Sequence, residues 1–162
     1  MNAIELNLLI KKRRDVFFVP VSGTHVLEMN SDLGDFAGES SLKSVADIIS
    51  YQSTLGLSTT VIKDQRPMAV FGVCPKWNGV YEAWTLLDYD ARRYPKEMTS
   101  VGRQFMEIVT KYYNLHRLQI YVRCASERAV QWGMALGFTI EGKMCRYMPN
   151  GEDAFMMSRC KA

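Results

Sequence analysis

The apolar residues of this chain change their period several times, and each change marks an element. In "SLKSVADIISYQSTLGL", Leu42, Val45, Ala46 and Ile49 fall at i, i+3, i+4 and i+7. That spacing predicts one face of a helix, with a serine before the run as its cap. The next stretch, "STTVIKDQRPMAVFGVCPKWNGVYEAWTLLD", carries β-branched and aromatic runs separated by "KDQRP" and "KWNG". These turn signals predict a meander of three strands over about 58–63, 67–74 and 79–87. Helical spacing returns in "RRYPKEMTSVGRQFMEIVTKYYNLH", at Val101, Phe105, Ile108, Val109 and Tyr112, and Pro95 suits a first turn; a helix over 95–113 follows. "RLQIYVRC" then alternates Leu118, Ile120, Val122 and Cys124 with Gln119, Tyr121 and Arg123, the period of a strand. Ser126 opens a short helix in "SERAVQWGMALGF", Gly137 can close it in the left-handed conformation, and Phe138 drops into the core. "TIEGKMCRYMPNGEDAFMMSRC" reads as two strands around "PNG". Earlier in the chain, "VFFVPV" and "HVLEM" around "SGT" fit either a hairpin or a strand with a break. "MNSDLGDFAGESS" reads as a loop.

The resulting order is strand, helix, three-stranded meander, helix, strand, helix, hairpin. That is a mixed α/β arrangement, one central sheet flanked by helices. The 162 residues suit a single domain over 1–162, and an apolar share of 48% is ordinary for a globular chain. A net charge of +3 permits an anionic ligand but falls short of a dedicated nucleic-acid binder. Cys74, Cys124, Cys145 and Cys160 form no CxxC pair, and His25 and His116 are the only histidines, so no metal site is expected. Scattered reduced thiols suit a cytoplasmic protein. In "MNAIELNLLIKKRRDVFF" the basic run follows the apolar stretch, the reverse of a secretory signal. The cluster from Lys11 to Arg14 reads as a solvated turn before a strand. No apolar run is long enough to span a membrane.

The strand and helix around "SERAVQWGMALGFTIEGKMCRY", with the hairpin after them, resemble the C-terminal half of the GCN5-related N-acetyltransferases. The family pattern there is roughly Asn-x-x-Ala, a short spacer, Gly-Phe and a glycine-turned strand. Ser126 stands where the Asn often stands, Ala129, Gly137 and Phe138 match, and the meander before the long helix fits the family's order. "YEAWTLLD" and "HRLQIYVR" are similar to acetyltransferase-like proteins of tailed bacteriophages, some of them internal virion proteins. The resemblance spans about residues 15 to 160. It implies a single domain of the N-acetyltransferase type with acetyl-CoA as cosubstrate and an amine as acceptor, on a small molecule or a protein such as a host protein. The alternative is an inactive protein of the same fold with a phage structural or host-interaction role, in the host cytoplasm or the virion. Two positions depart from the family. The pyrophosphate loop, Gln/Arg-x-x-Gly-x-Gly/Ala, is replaced by "RRYPKEMTSVGRQ", and Gly133 stands where many members carry a tyrosine that protonates the leaving thiolate.

Acyl transfer to an amine needs a base, a donor for the developing oxyanion, help for the leaving thiolate, and cations for the cofactor's phosphates. Glu82, between Tyr81 and Trp84 in "VYEAWT", is the candidate base, because a cleft desolvates a carboxylate. The family's fourth strand carries a bulge, which implies backbone N–H donors near residues 85 to 88 and a place for the cofactor along Leu86 and Leu87. Phosphates belong at the start of the 95–113 helix, beside Arg92, Arg93 and Lys96. Ser126 and Tyr147 are candidates to assist the thiolate, with Tyr147 assigned to catalysis and Ser126 to the cofactor. Trp132 is assigned to the cofactor as well, while Trp77 and Trp84 serve the core or the cleft wall. Loops at 30–41 and 88–95 and the hairpin at 143–154 are expected to select the acceptor.

Overall fold

Strands β1 (Val16–Val19), β2 (Ser58–Lys63), β3 (Arg66–Trp77), β4 (Val80–Leu87), β5 (Arg117–Arg123), β6 (Thr139–Met144) and β7 (Ala154–Cys160) form one sheet in the order β1-β2-β3-β4-β5-β7-β6. This is seen in a computed structural model that describes residues 1–11, 15–36 and 41–161. Lys12, Arg13 and Arg14 of the basic cluster, and residues 37–40 of the expected acceptor loop, lie outside the described residues. Every neighbouring pair is antiparallel except β4 with β5, which run parallel.

Helices cover both faces. On one face α1 (Ala3–Leu9), α4 (Pro95–Tyr112) and α5 (Glu127–Ala135) bury Leu6, Val101, Phe105, Val109 and Leu136 against Phe71, Ala83 and Leu118. On the other, α2 (Gly23–Glu28) and α3 (Leu42–Gln52) bury Val26, Val45, Ala46 and Ile49 against Val70 and Leu86. The helical spacing seen in the α3 and α4 sequences is thus the spacing of their buried faces. At the end of α5, Gly137 has φ of +92° and Phe138 is buried, as the "LGF" ending requires.

Two elements differ from the sequence expectation. "HVLEM" is not a strand: its first four residues belong to α2, which Ser22 caps by accepting a hydrogen bond from the Thr24 N–H at 3.3 Å. Its β-branched and aliphatic content suits either state, and tertiary contact decided it: Val26 and Met29 complete the apolar face of α3. The second is α1, which the hydrophobic pattern does not call for. Its signal is a capping box, in which Asn2 accepts from the Glu5 N–H and the Glu5 carboxylate accepts from the Asn2 N–H. The meander strands fall where expected, with β3 running three residues further, to Trp77, than the expected 74.

Candidate active site

The parallel pair β4 and β5 is joined only at its beginning. Val80 pairs with Arg117, Tyr81 with Leu118 and Glu82 with Gln119, and the register ends there. Beyond Glu82, β4 follows β3 as far as Leu87, while β5 follows β7 as far as Arg123. The two arms part and leave a cleft of about 600 Å³ between them. Glu82 therefore stands at the vertex of a fork, and both open arms end at the carboxyl ends of parallel strands, where α/β proteins place ligands.

The arms present backbone to this cleft. The Asp88 N–H bonds the Met68 carbonyl on the β3 side. By alternation, the N–H groups of Trp84 and Leu86 also face β3, and those of Thr85 and Leu87 face the gap. The bulge expected near 85–88 is absent: β3 and β4 keep an unbroken register from Ala69–Leu87 to Pro75–Tyr81, and their irregularity falls at Lys76, between Pro75 and Trp77. Departure of β5, rather than a kink in β4, turns these backbone groups toward the cleft.

The surroundings of Glu82 differ from those its neighbours in sequence suggested. Tyr81 points to the opposite face and stacks on Tyr113, ring centroids 4.6 Å apart. The aromatic neighbours of the carboxylate are Tyr121 and Tyr147, which feel its charge and meet edge to face at 4.9 Å. Trp84 does share the face of Glu82, two residues along, and meets Phe36 edge-on. The Glu82 side chain is 12% exposed and its Oε1 lies 3.1 Å from Lys76 Nζ. Burial, and after it the charge of Glu82, pushes the Tyr121 phenol up to about 12, so it remains a hydrogen-bond donor at neutral pH. The Tyr147 phenol is also raised, chiefly by burial, although this ring is half-exposed on the turn between β6 and β7.

Of the residues singled out for the cofactor, Leu86, Leu87, Arg92 and Trp132 line the cleft. Arg93, Lys96 and Ser126 are not among its lining residues. Arg92 sits over the Tyr89 ring at 4.6 Å, on a 3₁₀ turn (Tyr89–Arg93) that takes the place of a glycine loop. That turn leads to Pro95 and Met98, which bring the N-terminus of α4 to the cleft. Ser126 occupies the N-cap position of α5, but its side chain makes no capping bond. Trp132 donates its indole N–H to Thr99 Oγ1 at 3.2 Å and so ties α5 to α4. Two lining residues escaped the sequence reading. Tyr121 looked like any outward residue of an alternating strand. Arg128, exposed on the first turn of α5, lines the same cleft as Arg92.

Gly133 lies where α5 meets the sheet. A Cβ there would stand 3.2 Å from Ile120 Cδ1 and from both Met157 Cε and Sδ. The glycine lets the helix sit close on β5 and β7 at the cleft wall, and a side chain there would need the ends of Ile120 and Met157 to give by a few tenths of an ångström.

No family model and no curated protein matches the chain in sequence. Solved structures do match its fold. One is an acetyltransferase of the GNAT family from Bacillus anthracis, at a TM-score of 0.70 and 13% identity, over 92% of this chain and 96% of that one. The fold is that of the GNAT acetyltransferases. A ribosomal-protein-S5-alanine acetyltransferase from Vibrio fischeri aligns over 92% of this chain and 94% of its own, at a TM-score of 0.71 and 16% identity. A microcin C7 self-immunity acetyltransferase, solved with acetyl-CoA and AMP, aligns at a TM-score of 0.68 and 13% identity over 92% and 94% of the two chains. The sequence departures from the GNAT pattern have structural counterparts here: a 3₁₀ turn at the pyrophosphate loop and a packed glycine at the tyrosine position.

Proposed function

We propose that this protein transfers an acetyl group from acetyl-CoA to an amine. The observation that supports this most is the fork itself, with an acidic side chain at its vertex and the cations Arg92 and Arg128 on the elements that follow its two arms. The residues present suit the cosubstrate. An extended thioester arm fits between β4 and β5, bonded by the backbone of Thr85 and Leu87 beside Leu86 and Trp132. Arg92 and Arg128 then hold the phosphates, aided by the N-terminus of α4. When bound, acetyl-CoA supplies the activated acetyl group.

The chain's own residues do the rest. Glu82 accepts the proton of the acceptor amine, directly or through water. Thr85 and Leu87 aim N–H groups at a carbonyl oxygen lying in the gap, where little water competes. Tyr121 donates a hydrogen bond from the β5 arm and takes over part of the work that Gly133 cannot do. Tyr147 closes the vertex from the β6–β7 turn, and Ser126 stands near the outer end of the cleft at the head of α5. The acceptor is the amine of a small molecule or of a protein. Three of the structural neighbours are described as acetyltransferases of ribosomal proteins, which makes a protein amine a concrete candidate.

Gly133 favours a second reading, in which the fold was kept for a phage structural or host-interaction role and the chemistry was lost. One titration separates the two. Acetyl-CoA at about 100 times its dissociation constant stabilises a binding fold by roughly 2.7 kcal/mol, a melting shift of about 5–10 °C at this chain length. Such a shift, together with release of free thiol in the presence of amines, is the expected result. The absence of any shift at millimolar acetyl-CoA overturns the enzymatic reading.

A further inference from the structure

Lys76 is placed in an unusual way. It falls at the irregularity of β3, the position between Pro75 and Trp77 where the pairing with β4 slips. Bulges of this kind re-aim side chains. Here the side chain reaches Glu82, with Nζ 3.1 Å from Oε1, and its charge is felt at Tyr147 and Cys74 as well. Among the described residues it is the only lysine paired with a carboxylate that lines the cleft; Lys143, the other paired lysine, bonds Asp153 on the β6–β7 hairpin. An amine within hydrogen-bond reach of the base, at the vertex where β4 and β5 part, has the position required of an acceptor.

We infer that Lys76 is an acceptor of the protein's own chemistry, a self-acetylation site held beside Glu82. The inference rests on the acetyl-transfer reading above. In the step, the Lys76 ammonium first gives a proton to Glu82, and through it to solvent. The neutral Nζ then forms the N–C bond to the acetyl carbonyl as the C–S bond of the thioester breaks. The electron pair of that bond leaves with sulphur, which takes up the second proton lost by Nζ. The products are N-acetyl-lysine and free coenzyme A thiol. The acetylated side chain is neutral, so Glu82 loses its cationic partner, and any outside amine meets a different carboxylate afterwards.

The test uses the whole protein and acetyl-CoA, with peptide mass spectrometry to locate the label. Acetic anhydride, which needs no binding site, serves as the reference for simple exposure. Lys76 is expected to label first with acetyl-CoA, at a rate independent of protein concentration, but to hold no lead with the anhydride. Glu82→Gln should slow the Lys76 label by about 10²–10⁴-fold. Labelling of exposed lysines at the relative rates seen with the anhydride overturns the inference. So does an unlabelled Lys76 in a protein that binds acetyl-CoA and acetylates added amines, and in that case the function stands alone. Failure to bind acetyl-CoA at all removes both.

Discussion

At the scale of single residues, Glu82 and Gly133 carry the sharpest tests. Glu82→Gln keeps the shape of the vertex and the hydrogen bond from Lys76, but it cannot hold a proton for the acceptor. Turnover should fall about 10²–10⁴-fold with coenzyme A affinity kept, as steady-state kinetics beside a binding titration would show. Full activity in this variant removes Glu82 from the mechanism. For Gly133, the sequence resemblance alone predicts a gain from a tyrosine at this position. The contacts of 3.2 Å to Ile120 and Met157 argue the reverse. Gly133→Tyr should destabilise the fold by roughly 1–3 kcal/mol or more, the cost of overpacking, read from denaturant midpoints. A tyrosine variant that is both as stable as the parent and more active would show that α5 has room to move. Glu82 was visible in the sequence as an acid on a strand before a long helix. Its true neighbours were not, because Tyr121 and Tyr147 come from 39 and 65 positions further along and meet it only through the sheet.

At the scale of elements, the fork works only if its β5 arm is held back. At the joined base of the fork, a latch ties three adjacent strands together. Arg117 on β5 grips Glu141 on β6 with two bonds of 2.8 and 2.6 Å, and Ser158 on β7 donates to the same carboxylate at 2.7 Å. These hydrogen bonds, Arg117 first, lower the Glu141 carboxyl to about 2. A folded-state value below the unfolded one adds stability above the unfolded value of 4.5, and that stability is lost as pH falls through about 2. The pair is part-exposed, so solvent screening keeps its contribution modest. Urea unfolding of the parent and of Glu141→Gln should therefore differ at pH 6 and converge between pH 4.5 and 2. A gap that stays constant over this range would mean that the carboxylate's charge adds nothing. The elements themselves were readable wherever a long period or a turn signal marked them, as in α3, α4 and the meander. The helix α2 was not, since six residues are too few to establish a period and its stability comes from α3.

At the scale of the whole molecule, charges of both signs line the cleft: Glu82 at the vertex, the cations Arg92 and Arg128, and the acids Asp32 and Asp88. If Arg92 and Arg128 hold the phosphates as proposed, coenzyme A affinity should weaken as salt rises. Arg92→Ala and Arg128→Ala are each expected to weaken coenzyme A binding about tenfold or more, the worth of a charge-assisted hydrogen bond. Arg93→Ala, outside the cleft lining, should leave binding near that of the parent, and all three variants should melt close to it because exposed charges add little stability. Calorimetric titration of the three proteins checks this, and equal losses in Arg92→Ala and Arg93→Ala would place the phosphates elsewhere.

The chain by itself determined which segments alternate and which repeat every three or four residues, because those periods are local properties of side-chain order. It also carried the Gly-Phe ending of α5 and the acid on β4, which resemble the pattern of the acetyltransferase fold. Tertiary structure alone decided where β4 and β5 separate, which face each aromatic takes, and which cations reach the cleft. Those outcomes depend on meetings between residues far apart in sequence: Glu82 with Gln119, Arg117 with Glu141, and Arg92 and Arg128 in the lining of one cleft. No local pattern encodes such a meeting, and the site is made of such meetings.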